Sequence, residues 1–481
     1  MVNKENALPA KEGWSGSSAE KQYIDLYRSQ KALIDANSAP ALNAYREDAV
    51  RVLEQAGVAR AKDFTHVDPE VLLAPDYSLN LARHEVPANR EDLFTCAVPE
   101  LSTQVHFLVN EQYVALSDSV RRGETIPQGV FVGSLREFAI RHPELISQYY
   151  NQLAGQRTDT GDVRSKRYEA CSLGESALNT MLCQDGFVVY VPAGVQVEKP
   201  IQLISLLRAV EDFMAVQRLL IILEDDAKAS LLVCEHASRL NEQARLLSLQ
   251  TTEVFVGRRA TLDLYCLEEH HDLVSRLGQL YVRQDEASNV AIGQYALTVG
   301  ATRNRIHIAL TAPDAQTHLY GMATLDAQQH LDNLTFIDHL APGCTSNELF
   351  KYVLDNEARG SFLGRILVRK GSVKTDAHQT NRNLCLSSDA RMVARPELEI
   401  YADDVKCSHG STVGQLDQQA MFYMRTRGIP EAEARMLLMF AFMGDVIDGI
   451  RIEPLKDRLR HLVEKRFRGE LSQQCKGCKI S

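Results

Sequence analysis

Cys407 and His409, near the carboxyl end of the sequence, have the residue types and spacing of a small ligand pair. Residues i and i+2 of a β-strand point to the same side, so a thiol and an imidazole would face one space if this segment is a strand. Iron accepts both groups as ligands, and a cationic imidazole nearby would lower the pKa of the thiol. Two ligands are too few for a closed site, so further ligands would have to come from other side chains, from sulfide or from a partner. Two ordinary core side chains are the alternative interpretation.

Two other segments contain residues of the types that bind metals. Glu268, Glu269, His270 and His271 are consecutive, but they lie between predicted strands and we expect a solvated loop. Cys475 and Cys478 have the spacing of half a zinc or iron–sulfur site, yet no second pair of ligands accompanies them. We expect that pair to be a reduced tail.

Signatures of common enzyme classes are missing from the sequence. We find no Gly-x-x-x-x-Gly-Lys-Ser/Thr phosphate loop, no Gly-x-Ser-x-Gly nucleophile elbow and no His-Glu-x-x-His zinc motif. Paired carboxylates could indicate a carbohydrate-active β-helix enzyme, but the adjacent Asp403 and Asp404 would point oppositely in a strand. The sequence therefore predicts a chain that is not an ATPase and not a catalyst of these classes.

The composition is that of a soluble globular protein, with 45% hydrophobic and 24% charged residues in 481. The formal charge of −10 disfavours a nucleic-acid binder. The longest apolar run, from Met436 to Met443, is far shorter than the roughly 18–20 residues that span a membrane. The first residues have no apolar core typical of a signal peptide, so we expect a cytoplasmic protein whose cysteines stay reduced.

The sequence pattern in the middle of the chain is typical of a solenoid. Short alternating strands such as Phe187–Val191, Leu219–Leu223 and Phe362–Val368 follow one another with almost no helical signal. A polar residue or glycine followed by a small residue recurs between the strands. The small residues are Ala227, Ala260, Ala287, Ala315, Cys344, Ala358, Ser372 and Ala390. Spacings near 14 and 28 residues suit a coil that repeats per half-turn or turn, with small residues in tight corners. A β-sandwich is the rival fold, but sandwiches seldom keep such a repeat over this length.

Helical periodicity marks both ends of the chain. Near the N-terminus it covers Leu135–Leu153, with a break at His142-Pro143. Near the C-terminus, Pro430 suits a first helical position, and the Met436–Met443 run, apolar on every side, predicts burial all round. The last helix has one apolar stripe and one basic face. These helices could cap the end of the solenoid or form a docking surface for a partner, and the pattern leaves both open.

Several segments together resemble the SufB/SufD family of iron–sulfur cluster assembly proteins. These are Ala177–Gly186 leading into Val191–Ile201, Thr380–Leu384, Arg395–Gly410, Gly414–Asp417 with Phe422-Tyr423 and Arg427–Ile429, and Asp76–Leu81. The resemblance touches all three regions and is dense from 370 to 430. The expected architecture is therefore mainly β: a right-handed parallel β-helix core at 161–412, between an N-terminal helical domain at 1–160 and a C-terminal helical domain at 413–481.

Within that family the chain looks like the SufD type. SufB-type chains carry Glu after the histidine, where Gly410 stands here, and place an acceptor cysteine close to the position of Arg382. Cys385 lies three residues further on, which in a strand is the other face. The acceptor role should therefore not be transferred to Cys385, although a SufB-like primary scaffold stays the alternative.

The resemblance implies a non-catalytic scaffold subunit that works in a complex. It implies pairing with a SufB-like chain through the last β-helix rungs, which would place Cys407 and His409 as candidate metal ligands at a shared assembly site. It also implies an ABC-type ATPase, SufC, docking on the C-terminal helices around Met436–Met443. No tightly bound cofactor is expected in the isolated chain, only a transient cluster or iron in the complex. The sequence leaves open whether the isolated chain forms a homodimer, and neither nucleic acid nor membrane is expected as a partner.

Overall fold

The structure is a computed structural model that describes residues 18–58, 65–83, 101, 103–114, 126–155, 163–239 and 243–469. The helices in these ranges are α1 (Ser18–Ala36), α2 (Pro40–Asn43), α3 (Arg46–Ala56), α4 (Pro69–Leu73), α5 (Leu135–Arg141), α6 (Pro143–Tyr149), α7 (Val163–Leu182), α8 (Gln418–Thr426), α9 (Glu431–Asp448) and α10 (Glu453–Phe467). The strands are β1 (Gln104–Val109), β2 (Gln112–Val114), β3 (Phe131–Ser134), β4 (Phe187–Val191), β5 (Ile201–Ala209), β6 (Phe213–Leu223), β7 (Lys228–Arg239), β8 (Leu246–Val256), β9 (Thr261–Glu269), β10 (Val274–Gln284), β11 (Asn289–Thr298), β12 (Ala301–Leu310), β13 (Gln316–Leu325), β14 (His330–His339), β15 (Thr345–Leu354), β16 (Arg359–Val368), β17 (Asp376–Cys385), β18 (Arg391–Ile400) and β19 (Lys406–Gly414).

Successive strands alternate between two parallel sheets, which makes the predicted solenoid. The odd sheet runs β19-β17-β15-β13-β11-β9-β7-β5-β1-β2, and the even sheet runs β18-β16-β14-β12-β10-β8-β6-β4-β3. Each turn of the coil contributes one strand to each sheet, and there are about 8 turns. A half-turn therefore holds one strand and one corner, which explains the repeat near 14 residues and confirms the mainly β solenoid.

Apolar side chains stack in columns between the two sheets. Leu264, Ile292 and Leu319 are partners in register on β9, β11 and β13, and all three are buried. Because alternate residues of a strand face opposite sides, every second residue enters this core. A single turn cannot close such a core alone, so the stacking of turns holds the fold together.

The corners between the strands need an unusual backbone conformation followed by a small buried residue. Asp226, Arg259 and Asp314 have positive φ, and the alanine that follows each one is buried. One predicted corner is wrong by a single residue: Ala287 itself has positive φ and is exposed, and the next residue, Ser288, is fully buried. The physical requirement for a small inward residue is the same there, but serine meets it.

The N-terminal helices cover the outer face of the even sheet. Residues of α1, α3, α5 and α7 share one apolar cluster with outward residues of β6 and β8 such as Leu220 and Leu249. The predicted break at His142-Pro143 is confirmed, because α5 ends at Arg141 and α6 begins at Pro143. Strands also occur in this part of the chain, where β1 and β3 extend the odd and even sheets.

The C-terminal helices lie on the outer face of the odd sheet, so they do not cap the end of the solenoid. Met436, Met439 and Met443 of α9 pack with outward residues of that sheet, whereas Leu437 is 38% exposed. The prediction that the Met436–Met443 run is buried all round is therefore wrong, because only one side of α9 meets the sheet. No helix in the described ranges is long and apolar enough to cross a membrane.

Candidate functional site

The last turn of the solenoid leaves two strands with a free edge. β18 and β19 end the even and odd sheets, and no further strand follows either one within the described ranges. Lys406 donates its amide to Thr375 on the side of β17, and Arg391 donates to Ala358 on the side of β16. Because alternate residues of a parallel strand bond to the same neighbour, the amides of Cys407, His409 and Ser411 point to the free edge. A free edge of this length is a template for another strand.

Cys407 and His409 lie on the inner face of the last turn. They are in register with Ala377 and Gln379 of β17, whose side chains are buried inside the solenoid. The prediction that thiol and imidazole face one side is therefore confirmed. His409 is exposed, since no strand covers it from above in the described chain.

The surroundings of Cys407 are apolar, and its thiol is not activated. The half-buried side chain packs against the interior core cluster. Burial raises the pKa of the thiol, the amide of Ala377 opposes that shift and the carboxylate of Asp376 adds to it. The prediction of a thiol pKa lowered by the neighbouring imidazole is wrong, because loss of solvent is the largest influence here.

A polar column lies directly beneath His409. Glu348 of β15 is in register with Gln379, and Gln379 is in register with His409. Gln379 donates its Nε2–H to Oε2 of Glu348 over 2.6 Å, and both side chains are buried. Burial raises the pKa of Glu348 to about 7, against the hydrogen bonds from Thr335 and Gln379. This column has no counterpart in the sequence-based predictions, since only the register brings its members together.

On the outer face of the same turn, His378 makes one ion-pair contact and one hydrogen bond. His378 Nε2 lies 2.8 Å from the Asp376 carboxylate, and Nδ1 lies 2.6 Å from the Ser408 hydroxyl. Both ring nitrogens are therefore occupied, and the imidazole ties β17 to β19. This arrangement was also missed from the sequence, because its members come from two different turns.

Metal-ligand geometry is limited among the described residues. They contain no group of three or more His, Cys, Asp and Glu side chains placed to hold a metal ion. Cys407 and His409 can therefore supply a part of a ligand set at most. The tail residues Cys475 and Cys478 lie outside the described residues.

The Glu268–His271 segment is not the solvated loop that we expected. Glu268, His270 and His271 are buried, and His270 Nδ1 lies 3.0 Å from Oε1 of Glu268. Thr302 of β12 donates to the same carboxylate. Partners from another turn make burial of these charged groups possible, which the local sequence could not indicate.

Other residues used in the predictions have clear positions. Asp403 and Asp404 lie in the turn between β18 and β19, where Asp404 has positive φ, so the argument from strand alternation does not apply to them. Cys385 packs against the interior cluster while Arg382 is exposed on the other face, as the three-residue offset predicts. A side chain at Gly410 would meet no atom within 4 Å, so packing does not impose the glycine there.

Apolar side chains are exposed in two places outside the core. At the open end of the solenoid, Ile400, Tyr401 and Val413 are 42%, 56% and 51% exposed. On the C-terminal helices, Phe422 and Tyr423 of α8 are 70% and 58% exposed. Contiguous exposed apolar surface is typical of a site that meets a partner, whereas single exposed apolar side chains are common on any protein.

Comparison with known proteins agrees with this geometry. Residues 206–442 match the family model described as SUF system FeS cluster assembly, SufBD core domain, and residues 17–203 match the SufBD protein N-terminal region. The chain is 29% identical over 347 residues to an iron–sulfur cluster assembly SufBD family protein of Synechocystis, covering 71% of this chain and 73% of that protein. It is 26% identical over 377 residues to the iron–sulfur cluster assembly protein SufD of Escherichia coli, covering 76% and 87%, and 25% identical over 350 residues to SufD of Bacillus subtilis, covering 71% and 75%. The chain thus belongs to the SufBD family of iron–sulfur cluster assembly proteins.

Proposed function

We propose that this chain is a SufD-like scaffold subunit that pairs with a SufB-like chain through the last turn of its solenoid. The observation that carries the proposal is the open end, where Cys407 and His409 lie on β19, a strand with one free edge in the described chain. A partner strand at this edge would continue the ladder, and a partner turn would cover the exposed Ile400 and Val413. The same step would enclose the thiol and the imidazole between the two chains.

The iron–sulfur cluster is the cargo of such a site, not a resident group of this chain. His409 is exposed and can present a ring nitrogen to iron, and Cys407 would have to lose its proton to act as a ligand. Because burial raises the pKa of that thiol, losing the proton costs free energy. Cys407 can therefore act as a ligand only when a bound metal or a partner offsets this cost. Two ligands from this chain and the remainder from the partner or from sulfide would make a transient site suited to release.

An ABC-type ATPase of the SufC kind is the second partner in this proposal. The outer sides of α8 and α9, with Phe422, Tyr423 and Leu437 exposed, are the proposed docking surface. In this proposal ATP hydrolysis takes place in that partner, and this chain has no catalytic activity of its own. The cytoplasmic location expected from the sequence stays a prediction.

The SufB-like alternative is less well supported. Two of the relatives carry the name SufD, and Arg382 and Gly410 stand where SufB-type chains are expected to differ. The isolated chain would pair with a second copy through the same free edge, so a homodimer in solution and a heterodimer in the complex would exclude each other.

The pairing is tested by blocking the free edge without disturbing the fold. Ser411→Pro removes an amide that points away from β17, so the ladder to β17 keeps its bonds. Pro396 on β18 already occupies a free-edge position of this kind, which indicates that the fold accommodates the change. Ser411→Ala is the matched control, because it keeps the amide. We expect Ser411→Pro to abolish co-purification with the SufB-like chain and Ser411→Ala to retain it; co-purification of both would contradict pairing through β19.

The role of the site is tested separately in the assembled complex. We expect His409→Ala to co-purify with both partners but to lower the rate of cluster transfer to an apo-ferredoxin. His378→Ala is the control, because it changes a neighbouring imidazole on the outer face. Normal transfer by the His409→Ala complex would remove His409 from the site while leaving the pairing intact.

A further inference from the structure

Three residues on successive turns form one column that ends at His409. Glu348, Gln379 and His409 are in register on β15, β17 and β19, and all three belong to the inner face of the odd sheet. Neighbouring strands lie about 4.8 Å apart, so consecutive members of such a column are within contact distance. The outermost member is exposed and the inner two are buried.

The orientation of the Gln379 amide is fixed by Glu348 on the preceding turn. Its Nε2–H donates to Oε2 of Glu348 over 2.6 Å, and this assigns the amide when Glu348 is ionised, because both oxygens of a carboxylate accept. Gly364 on the opposite wall leaves room for it: a methyl group built on Gly364 would come within 2.4 Å of Nε2. The amide nitrogen is therefore held, and the oxygen is directed elsewhere.

The amide oxygen of Gln379 is a buried acceptor without a donor. Oε1 has no hydrogen-bond partner among the residues that the structure describes. Leaving a buried acceptor unpaired costs free energy, so such an atom in a native fold calls for a specific explanation. His409 stands on the next turn, directly over this side chain, and its ring carries one N–H when neutral.

A histidine that binds a metal through one ring nitrogen usually donates the N–H of the other nitrogen to an oxygen acceptor. That second contact fixes the tautomer and the orientation of the ring. Gln379 lies in register beneath His409, on the side away from the open end, so its unpaired oxygen is the candidate for such an acceptor. The other ring nitrogen would then face the open end, from which a partner or cargo approaches.

We propose that Gln379 is a positioning residue for His409: its Oε1 accepts the ring N–H and leaves the other nitrogen free toward the open end. Glu348 holds the Gln379 amide in the orientation that makes this possible. This inference rests on the proposed role of His409 as a ligand at the shared site. Gln379 does not contact the cargo in this arrangement and acts only through the imidazole.

The test is the tautomer of His409 in the full-length isolated chain. Ring nitrogen-15 spectra of histidine-labelled protein distinguish one tautomer, with two well-separated resonances, from a mixture, in which the resonances converge. The 14 histidines are resolved by subtraction, since the His409→Gln variant identifies the signals of that ring. Measurement near pH 8.5, about two units above the ordinary imidazole pKa of ~6.5, keeps the ring neutral.

Four variants separate positioning from general damage. Gln379→Met keeps the length of the side chain and removes the acceptor, so we expect the tautomer preference to fall roughly fivefold, the equivalent of about 1 kcal/mol for one hydrogen bond. Thr380→Val changes the outer face of the same strand and should leave the spectrum unchanged. The double variant Glu348→Gln with Gln379→Glu exchanges donor and acceptor and should restore the separation of the two resonances. Ser411→Ala tests the neighbouring hydroxyl on β19 as a competing partner.

Each outcome decides the proposal. Converged resonances in the unmodified chain, or an unchanged spectrum in Gln379→Met, would overturn it. Convergence in Ser411→Ala but not in Gln379→Met would assign the contact to Ser411 and overturn it as well. Normal cluster transfer by His409→Ala would remove His409 from the proposed assembly site without deciding the contact with Gln379, because the tautomer measurement does not depend on cluster transfer.

Discussion

Arg218 and Glu253 form an ion pair that solvent does not reach, with both side chains fully buried. Arg218 lies on β6 and Glu253 on β8, both in the even sheet. Glu253 also accepts the backbone amides of Asn151, Leu153 and Ala154 at 2.7, 2.8 and 3.0 Å. One carboxylate therefore joins the solenoid to the chain that follows α6.

Glu253→Ala should be strongly destabilising. It leaves the guanidinium of Arg218 buried without its anion and three backbone amides without their acceptor. Removal of one partner of a buried pair typically costs about 3–5 kcal/mol. Chemical denaturation measures the loss as a decrease in the free energy of unfolding. The control is Arg258→Ala, which breaks the exposed pair with Asp225 and should lower the free energy of unfolding far less. Equal losses in the two variants would show that burial does not set the strength of these pairs.

Lys351→Met should loosen the C-terminal helices without changing the open end. Nζ of Lys351 on β15 lies 2.6 Å from the Asp445 carboxylate and 2.7 Å from the backbone oxygen of Phe442, both on α9. We expect loss of these contacts to expose the segment between β19 and α9 to limited proteolysis and to weaken recovery of the proposed ATPase partner, while the proposed SufB-like partner is retained. Arg435→Met breaks the half-exposed pair with Asp355 and is the matched control, with a smaller effect expected. Simultaneous loss of both partners would contradict separate docking surfaces.

The sequence was sufficient for features that depend on short-range repetition. Strand period two placed Cys407 and His409 on one face, and the recurring polar residue or glycine before a small residue located the corners, with Ser288 in place of Ala287 as the one shift. These features need only the local order of residue types. The solenoid itself follows from their regular spacing.

Features that depend on register between distant turns could not be predicted. Glu268 is buried because Thr302 and His270 complete its surroundings, and Gln379 meets Glu348 from 31 positions away. The packing of α9 could not be predicted for a similar reason, because its apolar run does not indicate which side of the helix meets the odd sheet. Five of the eight residues in that run belong to the apolar cluster there, and Leu437 and Ala441 are exposed.

Stability should fall as the pH decreases from about 6.5 to about 4, and His307 should account for part of that loss. Burial lowers the pKa of this imidazole on β12 to about 4, against the opposing influence of Asp338. The unfolded chain therefore binds a proton in this range while the folded chain does not, so the contribution is complete above 6.5 and disappears towards 4. The shift corresponds to about 3 kcal/mol. The free energy of unfolding of His307→Phe should decrease less over this range, and parallel curves for the two proteins would contradict this assignment.

The Cys407 thiol should react slowly with iodoacetamide at neutral pH. Burial raises its pKa, so the reactive thiolate is scarcer than in an exposed cysteine, and the rate should rise only as the pH passes the folded-state value. The rate is followed by mass spectrometry of the peptide that contains Cys407, because other cysteines also react. Asp376→Asn removes a negative charge that raises the pKa and should accelerate the reaction, whereas Asp389→Asn, in the turn before β18, should not. A Cys407 thiol that reacts as fast as glutathione at pH 7 would contradict a raised pKa. That result would support the earlier hypothesis that the imidazole of His409 lowers the pKa of this thiol.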